Sequence, residues 1–134
     1  MNEIYVNATN STPLFKHGKD GKLIIKGRSL PEDAARFYNP LITWAREVTV
    51  SSMTVEIVFE YINSASKKKL LELLKVLDAN NHITDLNVNW FYEEGDDDSL
   101  ENGQTFEELM LKARFRYHEI LEVVQGGWQC VMPK

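Results

Sequence analysis

From Met53 to Tyr61 apolar and polar positions alternate. Met53, Val55, Ile57, Phe59 and Tyr61 fall on one side, Thr54, Glu56, Val58 and Glu60 on the other, which predicts a strand with one buried face and one wet face. From Leu70 the spacing changes. Leu70, Leu73, Leu74 and Leu77, widened by Leu71 and Val76, form a stripe of helical period, so a helix is predicted to bury this face against the sheet. Asn63, Ser64, Ala65 and Ser66 lie between, short side chains suited to capping the helix start because their oxygens accept from otherwise unpaired first-turn amides. The chain is organised around this junction, which runs from Met53 to Asn81.

The flanks extend the pattern. Ile4 to Val6 reads as a short strand, and Pro13-Leu14-Phe15 and Leu23-Ile24-Ile25 flank a turn-rich segment from His17 to Gly21, which predicts a hairpin. Ser29 with Glu32 has the form of a capping box. It predicts a helix carrying Phe37, Leu41, Trp44, Ala45 and Val48 on one face, in which Pro40 either kinks the helix or restarts it from Asn39. Asn80 and Asn81 mark the end of the central helix, and Leu86, Val88, Trp90 and Tyr92 alternate with polar residues as a second half-wet strand. Glu93 to Asp98 is expected to be an acidic loop. Thr105 with Glu108 resembles another cap, leading Phe106, Leu109, Met110 and Ala113 along a helix, and Tyr117 to Val124 should close the sheet. Because both inner strands keep one polar face, helices are expected on one side of the sheet only. The predicted fold is α/β: a single-domain mixed β-sheet with about three helices mainly on one face, spanning residues 1–125, followed by a C-terminal tail over 126–134.

Composition narrows the function. A chain of 134 residues, 43% hydrophobic and 26% charged, is the size and make-up of one globular domain with its own core. The net charge of -5 argues against a nucleic-acid binder, which needs a basic stripe. Cys130 is the single cysteine, so no internal disulfide is possible. The start of the chain lacks the basic and apolar segments of a signal peptide, so a cytoplasmic protein with no membrane insertion is expected. His17, His82 and His118 are far apart and without metal-ligand spacing. The acidic stretch fits no register of an EF-hand, and no phosphate-binding glycine loop or hydrolase elbow is present. No metal, no cofactor and no catalytic residue is expected, so the protein is read as a non-enzyme.

One local rule is broken. Lys67, Lys68 and Lys69 occupy the start of the central helix, where the helix dipole favours acids and each exposed cation costs up to about 1 kcal/mol. A solvated lysine face explains this blandly. An anion site explains it more sharply, with helix-start amides and lysines stabilising a phosphate either bound or carried on a serine.

The stretch Tyr61-Ile62-Asn63-Ser64-Ala65-Ser66-Lys67 resembles the strand-to-helix motif of the SiaC family of bacterial regulatory phosphoproteins, in which the Ser or Thr directly after the Asn is reversibly phosphorylated. Thr9, Ser11, Thr12 and Pro13 match an N-terminal motif, Pro31 and Glu32 open the first long helix with Trp44 inside it, and Trp90 and Tyr92 match an aromatic strand. The resemblance covers nearly the whole chain except the acidic segment and the tail. It implies a phosphorylation site at Ser64, a Ser/Thr protein kinase, a PP2C-type phosphatase, and an unphosphorylated form that binds and activates a diguanylate cyclase in cyclic di-GMP signalling and biofilm regulation. Asn63, Ser64, Lys67 and Lys68 are the expected partner-binding residues, with the acidic loop as second choice. The predicted order of elements also resembles the STAS fold of anti-sigma-factor antagonists, in which the phosphorylated serine likewise heads a helix after a strand.

Two other functions compete. An anti-sigma-factor antagonist would capture a sigma-regulating kinase instead of a cyclase. A small-ligand-binding domain would use Trp90 and Tyr92 as a pocket wall, where ordinary core aromatics are the simpler explanation. In the tail, Trp128 is either packed back or an exposed partner anchor.

Overall fold

In the computed structural model of the chain, which describes residues 2–124 and 127–130, seven strands form one sheet in chain order. The elements are β1 (Ile4–Val6), β2 (Leu14–His17), β3 (Lys22–Ser29), α1 (Ala34–Glu47), β4 (Ser52–Ile62), α2 (Ser64–Ala79), β5 (Asp85–Glu93), α3 (Asp97–Glu108), β6 (Arg114–Val124) and β7 (Gly127–Cys130). β1, β2 and β3 pair antiparallel, β3 through β6 are parallel, and β7 turns back antiparallel on β6. Three successive crossovers step in the same direction across the sheet, and their common right hand puts all three helices on one face. The α/β expectation with one-sided helices holds.

The core lies between that face and the helices. Phe15, Leu23, Ile25, Val55, Ile57, Leu86 and Val88 from the sheet meet Tyr38, Trp44, Leu70, Leu73, Leu77 and Phe106 from the helices. Four fully buried leucines of α2, at about 1.5–3 kcal/mol each, contribute roughly 6–12 kcal/mol of gross stabilisation, which fixes this helix against β4 and β5.

Local details depart from the sequence expectation, each for a physical reason. In α1 the cap is Asp33, whose carboxylate accepts from Arg36 N at 3.1 Å, whereas Ser29 is still in β3, paired with Ile62. The helix runs through Pro40 without restarting, and the proline lies on the exposed side, where the carbonyl it leaves unpaired can meet water. In β4 a bulge pairs Gly27 with Phe59 but Arg28 with Tyr61, leaving Glu60 extra. Beyond the bulge the alternation is inverted, and Tyr61, expected in the core, is 54% exposed. Val58, expected to be wet, is buried with Phe91 and Ile120 in a second small cluster.

The acidic stretch is not a plain loop. Asp96 caps α3 by accepting from Ser99 N at 3.0 Å, and Asp97 and Asp98 occupy the first turn, where the helix dipole stabilises them. The helix ends at Glu108, so Leu109, Met110 and Ala113 lie beyond it. The connection to β6 is tied instead to Asp78 of α2, whose carboxylate accepts the backbone amides of Leu111, Lys112 and Ala113 at 2.7, 2.9 and 2.8 Å. β6 begins at Arg114, earlier than the sequence pattern indicated. Within the segment expected as a tail, residues 127–130 pair with β6 as β7, while the side chains of Trp128 and Cys130 lie outside the described residues.

Gly103 allows α3 to approach the sheet. A Cβ there would sit 2.9 Å from the indole of Trp90 and from the ring of Tyr117, and the indole is held by its Nε1 donating to Ser99 O at 3.0 Å. Gly103→Ala should therefore lower stability although alanine is the better helix former by about 1 kcal/mol, because overpacking costs about 1–3 kcal/mol. Urea denaturation measures this, and a more stable variant would show that α3 is not held so closely.

Candidate functional site

The parallel strands end at the edge where α2 starts. Asn63 N donates to Ser29 O at 2.9 Å, so the exit of β4 is fastened to the end of β3. Asn63, not Ser64, is the helix cap, its side-chain oxygen accepting from Ser66 N at 2.9 Å. The expectation of a capping side chain somewhere in 63–66 is met, and the structure assigns the task to the first of the four.

The two serines then separate completely. Ser66 is fully buried, accepting from the hydroxyl of Ser29 at 2.9 Å, and Ser29 lies 2.6 Å from the Tyr38 hydroxyl. This chain of hydroxyls joins β3, α1 and α2 beneath the junction, and nothing in the sequence spacing of residues 29, 38 and 66 announces it. Burial raises the phenol of Tyr38 above its ordinary value, with its bonds to Ser29 and Ser66 acting in the opposite direction. The phenol stays protonated and can serve as a hydrogen-bond partner throughout the physiological range. Ser64, by contrast, is exposed at the first helical position. Its hydroxyl stands at the positive end of the α2 dipole and has no buried contact to lose on modification.

The lysines also separate. At 3.6 residues per turn, Lys68 shares the outward face with Ser64, whereas Lys67 turns toward α3. Lys67 lines a cleft of about 140 Å³ beyond the ends of β4 and β5, together with Tyr61, Asp96, Asp98 and Asn102, over a floor that includes Trp90. Lys69 leans toward α1, donating to Asn39 Oδ1 at 2.9 Å and pairing with Glu72 at 3.4 Å. Among the described residues neither Lys67 nor Lys68 forms an ion pair. Two acids of the stretch expected as a loop thus share a cleft with a lysine of the expected partner surface. Trp90 is buried against Phe106 in an edge-to-face contact, and Tyr92 is half-buried, as core aromatics are.

The N-terminal motif arrives at the same edge. Thr9 Oγ1 accepts the amides of Ser11 and Thr12, at 3.2 and 2.9 Å, and Leu30 N donates to Ser11 O at 2.8 Å, which fixes this turn beside the end of β3. Among the described residues no group of three or more His, Cys, Asp or Glu side chains could hold a metal ion, and no helix is long and apolar enough to cross a membrane.

This geometry ranks three substitutions. Asn63→Ala should cost about 0.5–2 kcal/mol as a lost cap. Ser66→Ala should cost about 1–3 kcal/mol by leaving Ser29 short of a buried partner. Ser64→Ala should stay within about 0.5 kcal/mol of the parent, as exposed positions do. Chemical denaturation of the three variants checks the order, and a Ser64→Ala loss as large as that of Asn63→Ala would return the cap to Ser64.

The family and the fold are shared with known proteins. The model of the SiaC family of regulatory phosphoproteins matches residues 6–120. The fold is similar to that of SiaC of Pseudomonas aeruginosa, with a TM-score of 0.73 at 20% identity, over 88% of this chain and 100% of that one. It is similar to apo-SiaC from the same organism, with a TM-score of 0.74 at 20% identity over 87% of this chain and 98% of that one. A crystal structure of the diguanylate cyclase SiaD in complex with its activator SiaC, also from Pseudomonas aeruginosa, matches with a TM-score of 0.73 at 20% identity, over 86% of this chain and 99% of the matched chain. No curated protein sequence matches the chain. With the family model spanning β2 through β5, most of β6 and all three helices, the chain belongs to the SiaC family of regulatory phosphoproteins.

Proposed function

We propose that this protein is a non-enzymatic phospho-switch, modified on Ser64 by a Ser/Thr protein kinase and restored by a PP2C-type phosphatase. Its unphosphorylated form binds and activates a diguanylate cyclase, which sets the level of cyclic di-GMP in the cytoplasm. The observation that carries the reading is the split between the two serines of the junction: Ser64 is exposed at a helix start, and Ser66 is buried under it. A kinase reaches the first without disturbing the fold. The family supports the reading, as does SiaC of Pseudomonas aeruginosa being the activator of the cyclase SiaD.

The chemistry is electrostatic. A phosphate on Ser64 adds about -1.5 to -2 charge at a helix N-terminus, which accommodates an anion, with Lys68 one turn away. Stability is preserved while the surface changes sign. Asn63, Ser64, Lys67 and Lys68 are the proposed partner-binding residues, because a switch acts most directly where its charge meets the interface.

Phosphosite mapping of protein from its native host should place the group on Ser64, with Ser66 unmodified. Ser64→Ala should still bind and activate the cyclase and ignore the kinase. Ser64→Asp should melt near the parent temperature yet bind on the order of a hundredfold more weakly, since an unpaired charge desolvated at an interface costs several kcal/mol and each 1.4 kcal/mol is about tenfold. Titration calorimetry with the purified cyclase measures this. Phosphate found on Ser66, or phosphorylated protein that binds as tightly as unmodified protein, would overturn the switch.

A further inference from the structure

The outward side of α2 carries a shallow groove along most of its length. Lys68, Leu71, Lys75, Val76 and Ala79 line it together with Glu72, and most of its exposed lining is apolar. Helical spacing puts Ser64, Lys68, Leu71, Lys75 and Ala79 within about a quarter-turn of one another, so the switch residue heads this same stripe. Leu71 and Val76 widen the buried stripe as expected, packing against the core while half-buried, and their outer sides belong to the wall of the groove.

We propose that this face of α2 is the docking surface for an acidic amphipathic helix of the partner protein. The groove follows a single helix for about three turns, which suits a second helix laying an apolar ridge along it. Its charge selects the occupant. In a chain of net charge -5 the groove is bordered by Lys68 and Lys75, neither of which forms an ion pair among the described residues, while Glu72 is drawn to Lys69. Carboxylates flanking the incoming apolar ridge complement those two lysines. A second copy of this chain offers no such helix among its described elements: the exposed side of α1 carries Arg36 and Arg46, and α3, although acidic along its length through Glu101, Glu107 and Glu108, turns Phe106 inward and has no exposed apolar residue to form the ridge.

The proposal deepens the switch reading and rests on it for the role of Ser64. A phosphate at the head of the stripe would repel the partner's carboxylates and compete with them for Lys68. Both effects lower affinity without moving the fold.

The test is an NMR titration of the isotopically labelled full chain with a synthetic helical peptide that has leucines on one face and glutamates flanking them. A twin peptide with lysines in place of the glutamates serves as control. The acidic peptide should shift the amides of Lys68, Leu71, Lys75, Val76 and Ala79, and the basic twin should not. Lys68→Glu with Lys75→Glu, both at exposed positions, should exchange the preference. Equal response to the two peptides would overturn the proposal. So would shifts confined to the cleft beside Lys67, or shifts along the stripe that grow with protein concentration alone, which would mark self-association. Phosphorylation of Ser64 should weaken the acidic peptide by about tenfold or more, as like charge at an interface rim does. If binding to the stripe is the same in phosphorylated and unmodified protein, the docking surface stands and the switch reading falls.

Discussion

The arrangement depends on how the start of α2 is held. Asn63 caps it, the Asn63 amide is fastened to the end of β3, and the buried hydroxyls of Ser66, Ser29 and Tyr38 tie it to β3 and α1 from below. Four buried leucines then hold the body of the helix on the sheet. A helix secured in this way has one free hydroxyl in its first turn, that of Ser64. Because the fastening is done by neighbouring residues, a charge can be added at Ser64 without releasing the helix it stands on.

A single helix is thereby divided among tasks by direction alone. Leu70, Leu73, Leu74 and Leu77 face the core, Lys69 faces α1, Lys67 faces the cleft beside α3, and Ser64, Lys68, Leu71 and Lys75 face outward. The lysine run that looked like one basic cluster in the sequence is three separate surfaces. This explains how three adjacent cations are tolerated at the positive end of a helix dipole: one is bonded to Asn39 and Glu72, one shares a cleft with carboxylates, and Lys68 projects outward beside Ser64.

Periodicity made the central junction, the β2–β3 hairpin and the one-sided sheet legible, because each is a long signal repeated over several residues. The errors came where one residue decides. The inserted Glu60 inverts the phase of β4 beyond Phe59, and no alternation pattern announces a bulge, so Tyr61 reads as buried; Val58 keeps its phase and is buried on the opposite face by Phe91 and Ile120, neighbours that β4 alone does not reveal. Ser29 with Glu32 had the form of a capping box, but ladder pairing with β4 keeps Ser29 in the strand and leaves the cap to Asp33. The acids at 96–98 read as a loop in the sequence because α3 has little apolar content to give it a period. Gly103 and Phe106 are its buried positions, and it is held by capping and by close approach to Trp90. At the site, Ser64 was identified by resemblance to a family motif, whereas the separation of Ser64 from Ser66 required the fold, since Ser29 and Tyr38 are distant in sequence.

The central claim is that phosphorylation changes a surface and leaves the helix beneath it intact. Amide hydrogen exchange on phosphorylated and unmodified protein tests this directly. The account predicts unchanged protection from Leu70 to Leu77, with any difference confined to the first turn of α2. Loss of protection along those buried leucines would contradict it, and would mean that the modification works by undoing the helix.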